Sequence, residues 1–186
     1  MTELPVGILL AAGQSRRFGS NKLLHHTIDD TPMLLVSARK LVSVLPHSVV
    51  VINEKLQSIS RKLESLGMQV VVNEQAEQGM GSSIACGVAA SSNAVGWLIA
   101  LADMPYIKES TTHQLVTRMQ QGAGIVAPEC DGQRGHPVGF ATKYQQDLLN
   151  IQGDCGARVV LEQHQSDVVL LQTDDNGVLI DVDQPD

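Results

Sequence analysis

Apolar residues fall along the chain in short, nearly unbroken runs separated by longer mixed stretches. "VGILLAA" (6–12), "SVVVI" (48–52), "QVVV" (69–72), "GWLIALA" (96–102) and "GIVAP" (124–128) lack the alternation of a half-exposed strand. They read as strands buried on both faces. "DVVLL" (167–171) and "GVLIDVD" (177–183) predict two further strands. Between the runs, "PMLLVSARKLVSVL" (32–45), "KLQSISRKLESLG" (55–67) and "ESTTHQLVTRMQQG" (109–122) space their apolar residues as amphipathic helices do. The last two reach a glycine suited to a helix C-terminus. Strands alternating with helices predict right-handed crossovers. The expected fold is therefore α/β, a three-layer α/β/α sandwich on a mostly parallel, Rossmann-like sheet. No repeat, low-complexity segment or linker interrupts it, so residues 1–186 are expected to form a single domain.

Composition narrows the function. The hydrophobic fraction of 43% with 18% charged residues is that of a globular chain, and 3% aromatics leave the core to aliphatic side chains. A formal net charge of -7 argues against a general nucleic-acid binder and against a protein of anionic membrane surfaces. Cys86, Cys130 and Cys155 have no paired spacing and read as reduced thiols. The first apolar run has the wrong flanks for a signal peptide, and none approaches a membrane span. A cytoplasmic protein without nucleic-acid or membrane partners is expected.

In a sheet of this kind ligands bind beyond the carboxyl ends of the strands, so the loops there carry the chemistry. In "LLAAGQSRRFGSNKLL", Ala11, Ala12 and Gly13 would let backbone N–H groups approach an anion, and Arg16 and Lys22 would add charge to a polyphosphate. A merely solvated basic loop is the rival reading, and neither G-x-x-x-x-G-K-[ST] nor G-x-G-x-x-G is present. "NEQAEQGMGSSI" runs through Gly79, Met80 and Ser82 into a helix, either as a ligand loop or as a plain cap. "LADMPYI" ends a strand in Asp103, a natural Mg²⁺ ligand or a simple cap. Asp181 and Asp183 are spaced to share a strand face. "GQRGHPVGF" offers Arg134 and His136 as a phosphate clamp or forms a structural hairpin, and "GDCGAR" sets Asp154 before a helix as cap or ligand. His25 and His26 point apart and read as surface residues.

Together these motifs, in this order and over nearly the whole chain, resemble the cytidylyltransferases that mature molybdenum cofactor. That family sits within the wider group of nucleotidyltransferases with a nucleotide-diphospho-sugar-transferase-like fold. The first motif points only to the wide group; "GQRGHPV" with "GDCGAR" is more specific. Guanylyltransferase relatives read Leu-Ala-Gly-Gly in the first loop, where Ala12 stands here. The resemblance implies that Ala11, Ala12 and Gly13 line base and ribose, that Arg16 and Lys22 bind the triphosphate as catalytic cations, and that Gly79, Met80 and Ser82 close over the base. It implies Asp103 as the catalytic magnesium ligand, Asp183 as its second carboxylate, and Arg134, Gly135, His136 and Asp154 facing the pterin. The tail departs from the pattern, with Gln184 where Thr is common. The implied reaction moves CMP from CTP to molybdenum-molybdopterin with Mg²⁺ as cofactor and a client molybdenum hydroxylase as candidate partner. The rivals are a sugar or isoprenoid nucleotidyltransferase of the same fold, and a non-catalytic nucleotide-binding delivery chaperone.

Overall fold

A computed structural model describes residues 3–13, 22–25 and 27–182. The apolar runs form β1 (Val6–Leu10), β4 (Ser48–Ile52), β5 (Gln69–Val72), β6 (Gly96–Leu101), β7 (Ile125–Cys130) and β10 (Val168–Gln172). The small hairpin β2 (Thr27–Ile28) and β3 (Thr31–Pro32) lies between β1 and β4, and β8 (Gln133–Arg134) and β9 (Val138–Ala141) follow β7. The long helices are α2 (Met33–Val44), α4 (Met80–Ala90) and α5 (Glu109–Gln120). The short ones are α1 (Lys22–His25), α3 (Ser60–Ser65), α6 (Gln145–Leu149) and α7 (Arg158–Gln163). The stretch expected to be one helix over 55–67 begins instead as a 3-10 turn, Glu54–Ile59, before α3.

The sheet order is β10-β7-β9-β6-β1-β4-β5, with β8 paired to β7. All neighbours along it are parallel except at β9, which runs antiparallel between β6 and β7. Side chains of each central strand alternate between two cores. Leu9, Val50, Ile52 and Leu98 pack with Leu34 and Leu41 of α2, Leu63 of α3 and Leu115 of α5. Ile8, Val49, Val51, Trp97 and Ile99 pack with Ile84 and Val88 of α4, Leu148 of α6 and Val160 of α7. Both faces are thus covered, which is why the strands read as continuous apolar runs.

The tail departs from expectation. Residues 177–183 were expected to form a strand, but Asn176–Leu179 is a 3-10 turn and Ile180–Val182 is irregular. The cause is Asp175, only 1% exposed, whose carboxylate accepts from the Gly177 N–H and also from the Lys108 N–H and the Thr111 hydroxyl. This Asx-type turn bends the chain onto the start of α5, and its next backbone groups go to loops, not to a ladder. The His136 N–H donates to the Val178 carbonyl at 2.9 Å and the Val182 N–H to the Asp103 carbonyl at 2.9 Å. Asp181 therefore projects from coil, not from a strand face shared with Asp183, and Asp183 lies outside the described residues.

At the opposite end of the molecule Asp167 accepts hydrogen bonds from Lys143 and Tyr144, tying the turn after β9 to the start of β10. These two donors, with the Lys143 charge, hold its carboxyl at about 2, below the ordinary 3.8. A depressed carboxyl stabilises the fold above its ordinary pKa and loses that contribution as pH falls through the folded value. Asp167→Asn is therefore expected to be less stable than the wild type at neutral pH. Urea midpoints measured from pH 7 downward should converge between about pH 4 and about pH 2.

Candidate active site

Strand order reverses at β1, whose neighbours β4 and β6 follow it on opposite sides. The crevice at that point, beyond the carboxyl ends of β1, β4, β5 and β6, gathers most of the singled-out residues. The ladder runs past the strand ends: the Ala11 N–H donates to the Val51 carbonyl, Ala102 to Leu10 and Asn73 to Ile52. Ala11 and Ala12 are buried, with methyl groups in opposite cores, Ala11 toward α2 and Ala12 toward α4. What they can offer a ligand is backbone. Asn53, at the end of β4, donates to the Ala12 carbonyl at 3.0 Å, fixing that turn.

The central contact joins residues 81 positions apart. The Lys22 ammonium donates to Asp103 Oδ2 at 2.9 Å and to the Val182 carbonyl at 3.1 Å. The two side chains are only 14% and 26% exposed. Lys22 starts α1 directly after the first loop, and Asp103 follows β6. From beneath, α2 grips the Asp103 loop by its carbonyls: Ser37 donates to Ala102 at 2.9 Å, and Lys40 to Pro105 at 2.6 Å and Ile107 at 3.1 Å. Pro105 cannot continue a backbone ladder, so these side chains supply the order that regular structure does not.

The α4 side forms a second wall. Asn73 Nδ2 donates to the hydroxyls of Ser82 and Ser83, and Ser82 donates in turn to the Gln75 and Gly79 carbonyls. Gly79 has φ +104, and a Cβ there would lie 2.4 Å from Asp154 Oδ1 and 2.6 Å from the Gly153 carbonyl. Only glycine suits both the conformation and the space. Met80, 40% exposed, has its sulfur close to Gly156. Asp154 thus stands with the Gly79–Ser82 loop, the loop that the family resemblance sets over the base.

The third wall is the hairpin of β7 and β8, turned by Asp131 and Gly132 with φ of 51 and 74, the two positive angles of a type I′ turn. Arg134 is exposed on it, whereas Gly135 packs directly on the Val178 carbonyl and serves the docking of the tail. Burial holds the His136 imidazole below its ordinary pKa, Arg134 adds to the effect and Asp103 opposes it, so the ring is neutral at pH 7. Its Nδ1 is buried without a hydrogen-bond partner among the described residues.

The oxygens of Asp103 and Val182 converge on one cation, here an ammonium, and two hard oxygens fit a divalent ion equally well. Among the described residues no three His, Cys, Asp or Glu side chains gather to hold a metal. The structure therefore brings Ala11, Ala12, Gly13, Lys22 and Asp103 together, sets Gly79, Met80, Ser82 and Asp154 on the α4 wall, and leaves His136 within electrostatic reach of both Asp103 and Arg134. Arg16 lies outside the described residues. Asn53, Asn73, Ser37 and Lys40 were not anticipated. The two asparagines carried a usable signal, each being the first polar residue after a buried strand, as Asp103 is. Ser37 and Lys40 carried none, since they read as ordinary positions of an amphipathic helix.

Comparison with known proteins places the chain among relatives. Residues 7–168 match the MobA-like NTP transferase domain. The chain is 30% identical to nicotine blue oxidoreductase of Paenarthrobacter nicotinovorans, over 98% of this chain and 94% of that one. It is 31% identical to the purine catabolism protein PucB of Bacillus subtilis, over 97% and 92%. It is 26% identical to a probable molybdenum cofactor guanylyltransferase of Thermococcus sibiricus, over 78% and 71%. Among solved structures, the Rv0371c homolog of Mycobacterium sp. strain JC1 superposes with a TM-score of 0.84 at 28% identity, over 96% and 89%. A manganese complex of Rv0371c from Mycobacterium tuberculosis gives 0.77 at 22% identity, over 92% and 89%.

Removing the grip of α2 leaves the Pro105 and Ile107 carbonyls without their donor. Lys40→Met is expected to cost about 1–3 kcal/mol in stability, read by chemical denaturation. It should also raise amide hydrogen exchange at Met104 and Ile107 relative to β1.

Proposed function

The chain belongs to the MobA-like NTP transferase family, and on that premise we propose that it moves CMP from CTP to the terminal phosphate of molybdenum-molybdopterin, releasing pyrophosphate. The observation that carries this reading is the Lys22–Asp103 contact at the strand-order reversal, 2.9 Å long. It pairs a cation suited to polyphosphate with a carboxylate suited to a divalent ion, directly beside the Ala11–Gly13 backbone. A pterin phosphate oxygen attacks the α-phosphorus of CTP in line; a new P–O bond forms as the bond to the bridging oxygen breaks, and that electron pair leaves with pyrophosphate. A phosphate monoester is anionic near neutral pH, its second pKa being about 6, so no side-chain nucleophile is required. The work left to the protein is positioning and charge neutralisation.

Lys22 lowers the negative charge of the triphosphate and Arg16 is assigned the same role. Asp103 and the Val182 carbonyl would hold a magnesium ion, with Asp183 as a second carboxylate. That ion, when bound, supplies positive charge to the phosphates as the leaving bond breaks. Arg134 offers a bidentate clamp to the pterin phosphate and His136 an uncharged imidazole beside it. Gly79, Met80 and Ser82 close on the base, beside Ala12, at the place where guanylyltransferase relatives carry glycine. The pterin acceptor is supported by the motif resemblance and by the relative named as a molybdenum cofactor guanylyltransferase. The protein acts in the cytoplasm as a single catalytic domain, passing its product to a molybdenum hydroxylase.

Pyrophosphate release, measured with CTP, GTP or ATP in the presence of molybdenum-molybdopterin, is expected with CTP alone. Equal release with GTP would defeat the cytidylyl assignment, and tight CTP binding without release would favour a delivery chaperone. Asp103→Ala is expected to lower turnover on the order of 10²-fold or more while the protein stays folded.

A further inference from the structure

Lys22 already fills the place on Asp103 that a divalent ion would need. Its ammonium lies 2.9 Å from Asp103 Oδ2 and 3.1 Å from the Val182 carbonyl, on the same two oxygens that fit a metal. An ammonium and a metal ion cannot share them, because like charges at such separation repel strongly in a site this sheltered from water. We propose that Lys22 is a resident counter-cation of Asp103 which a triphosphate draws away, so that metal and nucleotide binding are coupled through this one side chain. The proposal rests on the assignment of the crevice to a nucleoside triphosphate and a divalent ion.

The coupling follows from what each ligand meets alone. A divalent ion arriving first must displace an ammonium held by a carboxylate and a carbonyl. A triphosphate arriving first faces the Asp103 carboxylate, and gains Lys22 only by breaking its contact. Arriving together, each removes the obstacle of the other: the phosphates take the ammonium and the metal takes the carboxylate. The side chain suits the exchange. Lysine is a compact charge on a flexible four-carbon stem, whereas an arginine fork would lock onto the carboxylate. Lys22 also opens a helix of only four residues immediately after the phosphate loop, so a small rotation of its stem suffices. Asp103 stays in place during the exchange because Ser37 and Lys40 hold its loop by the carbonyls on either side.

The test is a double-mutant cycle read by binding, not by turnover. Mn²⁺ affinity without nucleotide is measured by electron paramagnetic resonance for wild type, Lys22→Met, Asp103→Asn and the double variant. Lys22→Gln serves should the methionine variant fail to fold. Loss of the resident cation is expected to tighten Mn²⁺ about tenfold or more, within the usual range of site coupling, and the gain should vanish once Asp103 is also replaced. CTP affinity in EDTA is measured by calorimetry on the same set. Asp103→Asn is expected to tighten CTP where Lys22 is present and to have a much smaller effect where it is not. Unchanged or weaker Mn²⁺ binding in the Lys22 variants overturns the coupling. So does an Asp103→Asn gain of equal size in both Lys22 backgrounds, which simple repulsion between carboxylate and phosphates produces. Both results leave the functional assignment standing. Absence of CTP binding in the wild type, with and without Mn²⁺, instead removes that assignment and the proposal with it.

Discussion

The contact of Lys22 with Asp103 and Val182 depends on nearly every other feature of the fold. It closes only if β1 and β6 lie side by side in parallel, so that the loop after one meets the loop after the other. It needs the tail to be bent back by the buried Asp175, so that the Val182 carbonyl arrives from the far end of the chain. It also needs α2 to hold the Asp103 loop from below. A pair at this depth gains from reduced screening but must be compensated on all sides, since an unpaired charge there is strongly unfavourable. The carbonyl of Val182 supplies part of that compensation. In a chain with a formal charge of -7, this is where a cation is concentrated against the general trend.

The two cores of the sheet divide the chemistry between them. The core under α2 and α5 supports the charged part of the crevice, through Ser37, Lys40 and the Asp103 loop. The core under α4, α6 and α7 supports the second wall, where Asn73, Ser82, Gly79 and Asp154 interlock. Ala11 and Ala12 straddle the two, one methyl in each core. The backbone of Ala11 and Ala12 is thereby fixed relative to both walls, and Asn53 pins the Ala12 carbonyl from the side.

Much of this was legible because burial on both faces writes itself directly into composition. The strands that carry the crevice, and Asp103 at the end of one, follow from continuous apolar runs that stop at a polar residue. What stayed hidden was pairing over distance. Nothing local marks Val138–Ala141 as the antiparallel strand between β6 and β7, since its four residues include a glycine and resemble the parallel strands in hydrophobicity. "GVLIDVD" has the alternation of a strand, yet Asp175, His136 and Asp103 claim its polar groups first. Lys22 and Asp103 were each readable as ligands of something absent, and not as ligands of one another, because their meeting depends on the strand order.

The walls also distribute the residues that the resemblance sets on the acceptor side. Arg134, Gly135, His136 and Asp154 resemble a single substrate-facing set, but they serve three different surfaces. His136 feels the charges of both Arg134 and Asp103, which sets it on the side of the crevice where Asp103 lies. Gly135 is consumed in packing against Val178, where any side chain would push the tail, and with it the Val182 carbonyl, away from Lys22. Asp154 stands against Gly79, at the mouth of the second wall. A carboxylate there can accept hydrogen bonds from an amino group and repels phosphate, so under the proposed function it would favour a nucleotide with its base toward α4 and its phosphates toward Lys22. The arrangement that holds the charged groups together at one end of the crevice would, on that reading, also disfavour the reversed pose from the other.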